Sequence, residues 1–380
     1  MRFLTLLSLV CSVYAPAPAR AQAREPALPA LLPAEIAGSS TLLLPVGVNG
    51  SAPRWFILDT GANPCVMDEA AARALRLAFE GTGEARGAGR GTVPYRTIAT
   101  PIRFTTHGVP FTCERVIALD LSGQRSIFGR PIDGILGHDF FARFVTELDW
   151  DAQVVRVHDT AAYQPPAGAQ AIPLRFERRV PYLEATLTVE GHPPERRTLL
   201  LDTGSEDAVD DSLVLKSSGP KRTVTGGVGL GQTYEVTLGR IDRVELGPFE
   251  LRNVLGVAPG VALIGSGALQ KFFFAVDYSR GRLYLEPDPR YFPETSHSLV
   301  GSGATLRADS AGGVRVHEVL PDTPAAEAGM RAGDRIDRLD GARAERLGHV
   351  RVQKLLDRPG RTYVLLVRRD GAEVRISLRS

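Results

Sequence analysis

The chain has 380 residues, of which 43% are hydrophobic and 23% charged, with 39 glycines, 27 prolines and a formal net charge of +2. This length exceeds that of one compact core, so we expect two or three domains, and the glycine and proline content favours β-structure with many turns. The near-neutral charge gives no electrostatic case for nucleic acid or an anionic membrane as a partner.

The first residues predict a targeting segment. One arginine precedes the apolar run of MRFLTLLSLVCSVYA, and Ala21 and Ala23 supply the small residues of a cleavage site. The run is too short to span a bilayer, and Val10 disfavours the alternative that Cys11 is lipidated. We therefore expect a signal peptide at 1–23, export to the periplasm, and no stable membrane insertion after cleavage. Cleavage would leave basic and acidic residues equal in number, at 43 each.

A repeat follows a segment at 24–38 that is rich in alanine and proline and predicts an unstructured leader. The sequence FILDTGA at 56–62 returns as LLLDTGS at 199–205. Strand-like alternation and a turn precede each copy, and a Gly-rich section and an apolar pair ending in glycine follow it. The glycines that close these two later elements are Gly137 and Gly265.

The spacing after these glycines is the same in both copies. Phe144 lies seven residues after Gly137, and Phe272 lies seven residues after Gly265. An Asp-aromatic pair and a further strand-like segment then close each copy. The equal spacing indicates two homologous β-rich lobes, at 39–160 and 170–288, joined by AAYQPPAGAQ.

Asp59 and Asp202 each end an apolar strand, where a lone carboxylate would be costly to bury. Two carboxyl groups at hydrogen-bonding distance instead share one proton and titrate as a pair. The ionised group then acts as general base on a water, while the protonated group polarises a carbonyl. We therefore expect these residues to be a catalytic pair that needs no cofactor. The sequence has no HExxH or Cys-x-x-Cys pattern, so we expect no metal site either.

The residues that follow each aspartate fit this role. Gly61 and Gly204 permit a sharp turn and leave room next to the carboxylate. Thr60 and Thr203 are expected to form hydrogen bonds to the loop of the opposite lobe and so to hold the pair in place.

The two copies differ at one position beside the aspartates. Ser205 stands where the first copy has Ala62, and its hydroxyl is expected to donate a hydrogen bond to Asp202. This difference predicts that Asp202 is the more readily ionised group and that Asp59 carries the proton.

Three further features have two interpretations each. The Gly-rich stretches EGTGEARGAGRGTVPY and TVTGGVGLGQTYEV suit mobile hairpins, in which Tyr95 and Tyr234 either contact substrate or pack as ordinary strand tyrosines. The acidic run of 206–211 predicts a solvated face and a helix cap, or else raises the pKa of the aspartate pair. Cys65 and Cys113 form a disulfide or remain buried free thiols.

The two lobes resemble retropepsin-like or pepsin-like bacterial aspartyl proteases that carry two Asp-Thr-Gly lobes in one chain. The resemblance rests on the two Asp-Thr-Gly motifs and the later Ile-Leu-Gly element. It implies a mainly β fold, in which two tandem retropepsin-like β-barrel lobes form a bilobal acid protease. It also implies that the Ile-Leu-Gly element packs beneath the active-site loop. The second copy departs from the family pattern, with Gly267 in place of the aspartate found at Asp139.

The remaining 299–380 resembles the PDZ modules of bacterial periplasmic proteases. The resemblance rests on VHEVLPDTPAAEAGMRAGDRIDRLDG, and it implies a small β-barrel with two helices that holds a peptide as an added strand. The candidate peptide-binding loop departs from the family's Gly-apolar-Gly-apolar pattern, and consists of Gly303, Ala304, Thr305 and Leu306.

Together these features predict an exported aspartic endopeptidase whose PDZ domain binds peptides or unfolded protein substrates. Two alternatives stay open. The lobes and the PDZ domain would form a non-catalytic peptide-binding adaptor, or each lobe would pair with a lobe of another chain.

Overall fold

The computed structural model describes residues 27–85, 92–99, 101–124, 128, 130–228, 233–288, 302–309, 312–358 and 360–379. The predicted signal peptide at 1–23 lies outside these residues. The fold is mainly β, as predicted. None of the helices in the described part of the chain has the length and apolar character needed to span a bilayer.

The first lobe contains thirteen strands and two helices within the described residues. They are β1 Ala30–Pro33, β2 Glu35–Ala37, β3 Thr41–Val48, β4 Arg54–Leu58, β5 Cys65–Asp68, α1 Glu69–Ala74, β6 Phe79–Ala85, β7 Val93–Ile98, β8 Ile102–Thr106, β9 Val109–Cys113, β10 Val116–Leu119, β11 Gly134–Leu136, α2 His138–Arg143, β12 Val145–Asp149 and β13 Val154–His158.

The second lobe repeats much of this order. Its described elements are β14 Gln170–Pro173, β15 Arg175–Glu177, β16 Val180–Thr188, β17 Glu195–Asp202, β18 Val209–Asp210, α3 Leu213–Lys216, β19 Lys221–Val228, β20 Thr233–Leu246, β21 Phe249–Ala258, β22 Leu263–Gly265, α4 Ser266–Leu269, β23 Phe272–Asp277 and β24 Arg282–Pro287.

The same strand insertion occurs in both lobes. In the first, β11 lies between β4 and β5, parallel to β4, with Ile135 opposite Ile57. In the second, β22 lies between β17 and β18, parallel to β17, with Ile264 opposite Leu201. The apolar pair before each repeated glycine therefore packs beside the strand that leads into Asp-Thr-Gly. The sequence repeat is thus a structural repeat.

A six-stranded sheet joins the lobes, in the order β1-β13-β12-β23-β24-β14. Strand β12 of the first lobe pairs antiparallel with β23 of the second, with Thr146 opposite Val276. Buried side chains from both lobes form one continuous hydrophobic core. This shared sheet and core fix the two aspartate loops relative to each other within one chain.

The expectation of an unstructured leader at 24–38 is wrong for part of this segment. Residues Ala30–Pro33 form β1 at the edge of the shared sheet, antiparallel to β13. Ala30 and Leu32 are buried while Leu31 is exposed, which is the alternation of an edge strand with one face on a core. This alternation outweighs the loop-forming composition of the segment.

The C-terminal domain has its own hydrophobic core. Its elements are β25 Ala304–Ala308, β26 Val314–Val319, α5 Pro324–Glu327, β27 Arg335–Leu339, β28 Ala342–Arg343, α6 Ala344–Leu347, α7 His349–Leu356, β29 Thr362–Arg369 and β30 Ala372–Arg379. Gly348, with φ +77°, separates α6 from α7.

The C-terminal domain contacts both lobes. Leu320 packs against Val236, Leu238 and Val257 of the second lobe. Lys354 donates a hydrogen bond of 2.9 Å to the carbonyl of Trp150 in the first lobe. These contacts hold the domain against the protease-like lobes.

Candidate active site

The two Asp-Thr-Gly loops face each other across the lobe interface. Asp59 follows β4 and Asp202 ends β17, and the three apolar residues before each aspartate are at most 9% exposed. The N–H of Asp59 donates to the carbonyl of Leu136 on the inserted strand, at 3.0 Å. Each carboxyl group therefore stands at the end of a rigid buried strand, and each is only partly covered on the side of the cleft.

The glycines of the loops make room for the opposite carboxyl group. A Cβ on Gly61 would lie 3.0 Å from Cγ of Asp202, and a Cβ on Gly204 would lie 2.6 Å from Cγ of Asp59. A side chain at either position would push the two carboxyl groups apart. The sequence predicted room beside each aspartate, and the structure shows that this room serves the aspartate of the other lobe.

The two threonines form the cross-lobe network that the sequence predicted. Thr60 N–H donates to Oγ1 of Thr203 at 3.1 Å, and Thr203 N–H donates to Oγ1 of Thr60 at 3.0 Å. The hydroxyl of Thr60 donates to the carbonyl of Leu201 at 2.6 Å, and that of Thr203 donates to the carbonyl of Leu58 at 2.9 Å. Both threonines are buried, so these four bonds fix the geometry of the pair.

Backbone N–H groups of each loop donate to the carboxyl group of that loop. Asp59 accepts from Gly61 N–H at 2.7 Å and from Ala62, and Oδ1 of Asp202 accepts from Gly204 N–H at 2.9 Å and from Ser205 N–H at 3.1 Å. The expectation that the Ser205 hydroxyl donates to Asp202 is wrong. The backbone N–H of Ser205 makes that contact, while its hydroxyl accepts from the N–H of Asp207 at 3.3 Å.

Burial and proximity perturb both carboxyl groups. Burial raises the pKa of Asp59 well above its ordinary value, and the neighbouring charge of Asp202 raises it further. Burial also raises the pKa of Asp202, but the hydrogen bond with Asp59 and the backbone donors of Gly204 and Ser205 act in the opposite direction. These directions favour the protonated form of Asp59 over that of Asp202.

The glycine that closes each inserted strand is required by close backbone packing. A Cβ on Gly137 would lie 2.3 Å from the carbonyl oxygen of Ala62, and a Cβ on Gly265 would lie 2.4 Å from that of Asp207. The departure at Gly267 has the same cause, since a Cβ there would lie 2.5 Å from the carbonyl oxygen of Glu206. The second lobe therefore has no space for the aspartate that the first lobe carries.

Tyr278 supports the site and was missed by the sequence reasoning. Its hydroxyl donates to the carbonyl of Thr60 at 3.0 Å, and its ring packs against Phe141 and Phe176, with centroids 5.5 and 4.9 Å away. The signal was the Asp-aromatic pair that closes each repeat. The first-lobe counterpart, Trp150, donates instead to the carbonyl of Ser40 at 2.8 Å.

A cavity of about 1240 Å³ contains both aspartates. Apolar side chains of both lobes line it, among them Ile57 and Ile135 of the first lobe and Leu200 and Leu263 of the second. Residues of the C-terminal domain line its far side. The cavity is large enough to hold a peptide segment beside the carboxyl pair.

The two candidate hairpins form, as β6–β7 and β19–β20. Their tips, 86–91 and 229–232, lie outside the described residues. Tyr95 is not among the described residues that line the cavity; its hydroxyl accepts a hydrogen bond from Arg115 at 3.1 Å, and its ring packs beside the apolar cluster of the first lobe. Tyr234 lies on β20, and the substrate contact predicted for its side chain falls outside what the structure describes.

The acidic run of 206–211 is not a solvated face. Asp210 is 3% exposed and Asp211 is fully buried. Asp211 accepts from the N–H of Leu213, the first residue of α3, at 2.7 Å, and it forms an ion pair with Arg197. The N-cap residue of α3 is Ser212, whose side chain makes no capping bond, so the predicted acidic cap is wrong. The carboxyl groups of Asp210 and Asp211 both lie in the interior, where burial and the charges of Asp207 and Asp202 raise the pKa of Asp210.

Cys65 and Cys113 are joined in a disulfide, which resolves the alternative that the sequence left open. The bond links β5, the strand that follows the first aspartate loop, to the end of β9. It therefore ties the first Asp-Thr-Gly loop to the body of its lobe.

Comparison with protein families agrees with this geometry. Residues 44–140 match the family model described as aspartyl protease, and residues 297–379 match that described as PDZ domain. The chain carries an aspartyl protease domain and a PDZ domain. No curated protein matches the chain in a sequence search. The aspartyl protease match includes Asp59 but ends before Asp202, whose assignment rests on the repeat and on the geometry of the site.

Strand β25 lies at the edge of the PDZ sheet, where a bound peptide adds as a further strand. Side chains of α7 bind part of this edge. Gln353 of α7 donates from Nε2 to the carbonyl of Ala304, and accepts from Leu306 N–H at Oε1, both at 2.8 Å. Ser302 donates from its N–H and its hydroxyl to Oδ1 of Asp357, at 3.0 and 3.1 Å. An internal amide and an internal carboxylate therefore hold groups that a bound peptide would use.

The four residues predicted to bind peptide differ in their surroundings, and their role in peptide binding stays a prediction. Leu306 is fully buried in the PDZ core, so its side chain is structural. Gly303, Ala304 and Thr305 line the cavity shared with the protease lobes. Ser302, one residue before the predicted stretch, binds the internal carboxylate of Asp357.

Proposed function

We propose that this chain is an exported aspartic endopeptidase that hydrolyses peptide bonds with a water activated between Asp59 and Asp202. The observation that carries the proposal is the cross-lobe arrangement of the two Asp-Thr-Gly loops. Thr60 and Thr203 bond reciprocally, both carboxyl groups border one cavity, and each loop glycine makes room for the opposite carboxyl group. The family match of residues 44–140 supports the same activity.

In the proposed mechanism, ionised Asp202 accepts a proton from the bound water, and the oxygen of that water bonds to the scissile carbonyl carbon. Asp59 at the same time gives its proton to the carbonyl oxygen, so the tetrahedral intermediate is a neutral diol. Asp202 then passes its proton to the amide nitrogen, and Asp59 recovers a proton from a diol hydroxyl as the C–N bond breaks. The products are a carboxylic acid and an amine, and the pair regains its starting protonation state.

The surroundings of the two carboxyl groups support this division of roles. Burial and the charge of Asp202 both raise the pKa of Asp59, whereas the hydrogen bond with Asp59 and the N–H groups of Gly204 and Ser205 counteract the effect of burial on the pKa of Asp202. The threonine bonds keep both carboxyl groups in the orientation that a shared proton requires.

The proposal places both aspartates of one active site in one chain. The antiparallel pairing of β12 with β23 and the common core of the lobes support this arrangement over pairing with a second chain. We further propose that the PDZ domain binds peptide segments or unfolded protein substrates beside the cleft, since its residues line the same cavity.

Export to the periplasm is proposed from the targeting pattern of 1–23, and the disulfide between Cys65 and Cys113 suits an oxidising compartment. The test is cleavage of an unfolded, alkylated protein at acidic to neutral pH, with and without pepstatin. We expect inhibitor-sensitive cleavage whose specific activity is independent of enzyme concentration. Binding of the unfolded protein without any cleavage would favour the non-catalytic adaptor, and activity that rises with enzyme concentration would favour pairing between chains.

A further inference from the structure

The cavity has an acidic group in its second-lobe half where the first lobe is apolar. Asp210 of β18 lies opposite Leu263 of β22 and beside Val257 of β21. In the first lobe the same place belongs to Val66, which lies opposite Ile135. Both Val66 and Asp210 line the cavity. The strand registers thus match a carboxyl group of one lobe to an isopropyl group of the other.

Counting along the sequence does not reveal this match. Val66 is the seventh residue after Asp59, whereas Asp210 is the eighth after Asp202, because the second loop contains one more residue. The pairing of strands, rather than the spacing of motifs, aligns the two positions.

Asp210 has another carboxyl group, that of Asp207, as its side-chain partner instead of a cation. It is 3% exposed, and its Oδ1 has no hydrogen-bond donor within the described residues. Its strand neighbours Val257 and Leu263 are apolar and buried. An unsatisfied carboxyl oxygen in such a setting costs about 1–3 kcal/mol or more, unless a ligand supplies the donor.

Asp207 is the acidic residue whose charge acts most strongly on Asp210, and it also lines the cavity. Burial raises the pKa of Asp207 to about 6 and that of Asp210 to about 10, and each group acts on the other. The two carboxyl groups therefore retain a shared proton at neutral pH when no cation is bound.

Asp211 has a cationic side chain of this chain as its partner, whereas Asp207 and Asp210 have none within the described residues. Asp211 forms an ion pair with Arg197, whose Nη2 lies 2.7 Å from Oδ1 of Asp211. Among the ion pairs of the described residues, none involves Asp207 or Asp210. Asp211 therefore has a structural partner, while the pair that faces the cavity is left for a ligand.

We propose that Asp210, together with Asp207, forms the base of a substrate subsite that accepts a lysine or arginine side chain. This inference rests on the proposed function, and it names the substrate class of that same cleft. The apolar walls at Leu200, Val257 and Leu263 pack the methylene groups of the substrate side chain, and its charged end donates hydrogen bonds to the carboxylates. The cation displaces the proton that the two acids share. The matching first-lobe subsite, lined by Val66 and Ile135, takes an apolar side chain.

The test compares peptides of one sequence in which lysine or norleucine is scanned through each position around the cleavage site. We expect the wild type to favour lysine over norleucine at one position by at least about tenfold in kcat/KM. Asp210→Asn lowers the ratio of kcat/KM for the lysine peptide to that for the norleucine peptide at that position to about one, a ratio in which general effects on catalysis cancel. Asp210→Val, which installs the first-lobe residue, reverses the preference. Glu345→Gln removes one exposed acidic charge outside the cavity and is the control for general electrostatics.

Binding of the same peptides to Asp59→Asn, followed by fluorescence anisotropy, separates this inference from the proposed catalysis. Suppose that the wild type cleaves no peptide, but that lysine peptides bind at least about tenfold more tightly than norleucine peptides and that Asp210→Asn removes the difference. The subsite then stands and the catalytic proposal fails. Equal binding and equal cleavage of both series by the wild type would overturn the subsite while leaving catalysis intact. Asp207→Asn provides a second variant should Asp210→Asn not fold, and an unchanged lysine preference in it would also overturn the subsite.

Discussion

Replacing Thr60 with valine tests the network that holds the aspartate pair. The substitution keeps the shape of the side chain but removes a hydroxyl that accepts from Thr203 N–H at 3.0 Å and donates to the carbonyl of Leu201 at 2.6 Å. Both partners are buried and would be left unsatisfied, at about 1–3 kcal/mol each. The free energy of unfolding should therefore fall by about 2–5 kcal/mol, measured by urea denaturation at constant pH.

Catalysis should fall as well, because the loop that carries Asp59 loses its tie to the other lobe. A displacement of the carboxyl group by a fraction of an ångström lowers kcat by at least about tenfold. The matched control is Thr60→Ser, which keeps both hydrogen bonds and loses one methyl group, at about 1 kcal/mol. If the valine and serine variants were equally stable and equally active, the network would not have the role assigned to it.

Three further predictions concern other parts of the molecule. Ser205→Ala should leave the acidic limb of the pH–rate profile within about 0.3 pH units of its position in the wild type, since the backbone N–H that binds Asp202 remains. A larger shift would mean that the Ser205 hydroxyl stabilises the carboxylate of Asp202. Gln353→Ala should increase the affinity of the PDZ domain for extended peptides by about tenfold in titration calorimetry, because it frees the carbonyl of Ala304 and the N–H of Leu306, and unchanged affinity would mean that peptides bind elsewhere. Asp210 has a pKa of about 10 in the fold, above its unfolded value, so its stabilising contribution is complete below about pH 4 and declines as the pH rises towards 10. The loss of unfolding free energy between about pH 5 and about pH 8 should therefore be smaller in Asp210→Asn than in the wild type, and equal losses would contradict the assignment.

The sequence predicted the parts of the fold that local pattern and repetition determine. The doubled Asp-Thr-Gly and the equal spacing after Gly137 and Gly265 were sufficient to predict two lobes, the facing aspartates and the threonine bonds. Each of these features depends on a short buried strand and the turn after it, which the apolar runs and glycines specify directly.

Other features depended on contacts that local pattern does not contain. The donor to Asp202 is the backbone of Ser205 rather than its hydroxyl, because the hydroxyl faces the N–H of Asp207 instead. The sequence around Asp210 is typical of a surface acid, and only the pairing of strands shows that it lies opposite Leu263. The occupation of the PDZ edge by Gln353 likewise depends on how α7 packs against β25, which tertiary structure alone determines.

The central claim is that Asp59 and Asp202 form one catalytic unit, and the most direct measurement is cleavage by Asp59→Asn and Asp202→Asn. Each variant should retain the circular dichroism spectrum and peptide binding of the wild type, since asparagine preserves the shape of the side chain. Each should lose at least about a thousandfold in kcat, because a single carboxyl group cannot act as both general base and general acid. Activity within about tenfold of the wild type in either variant would contradict the shared pair.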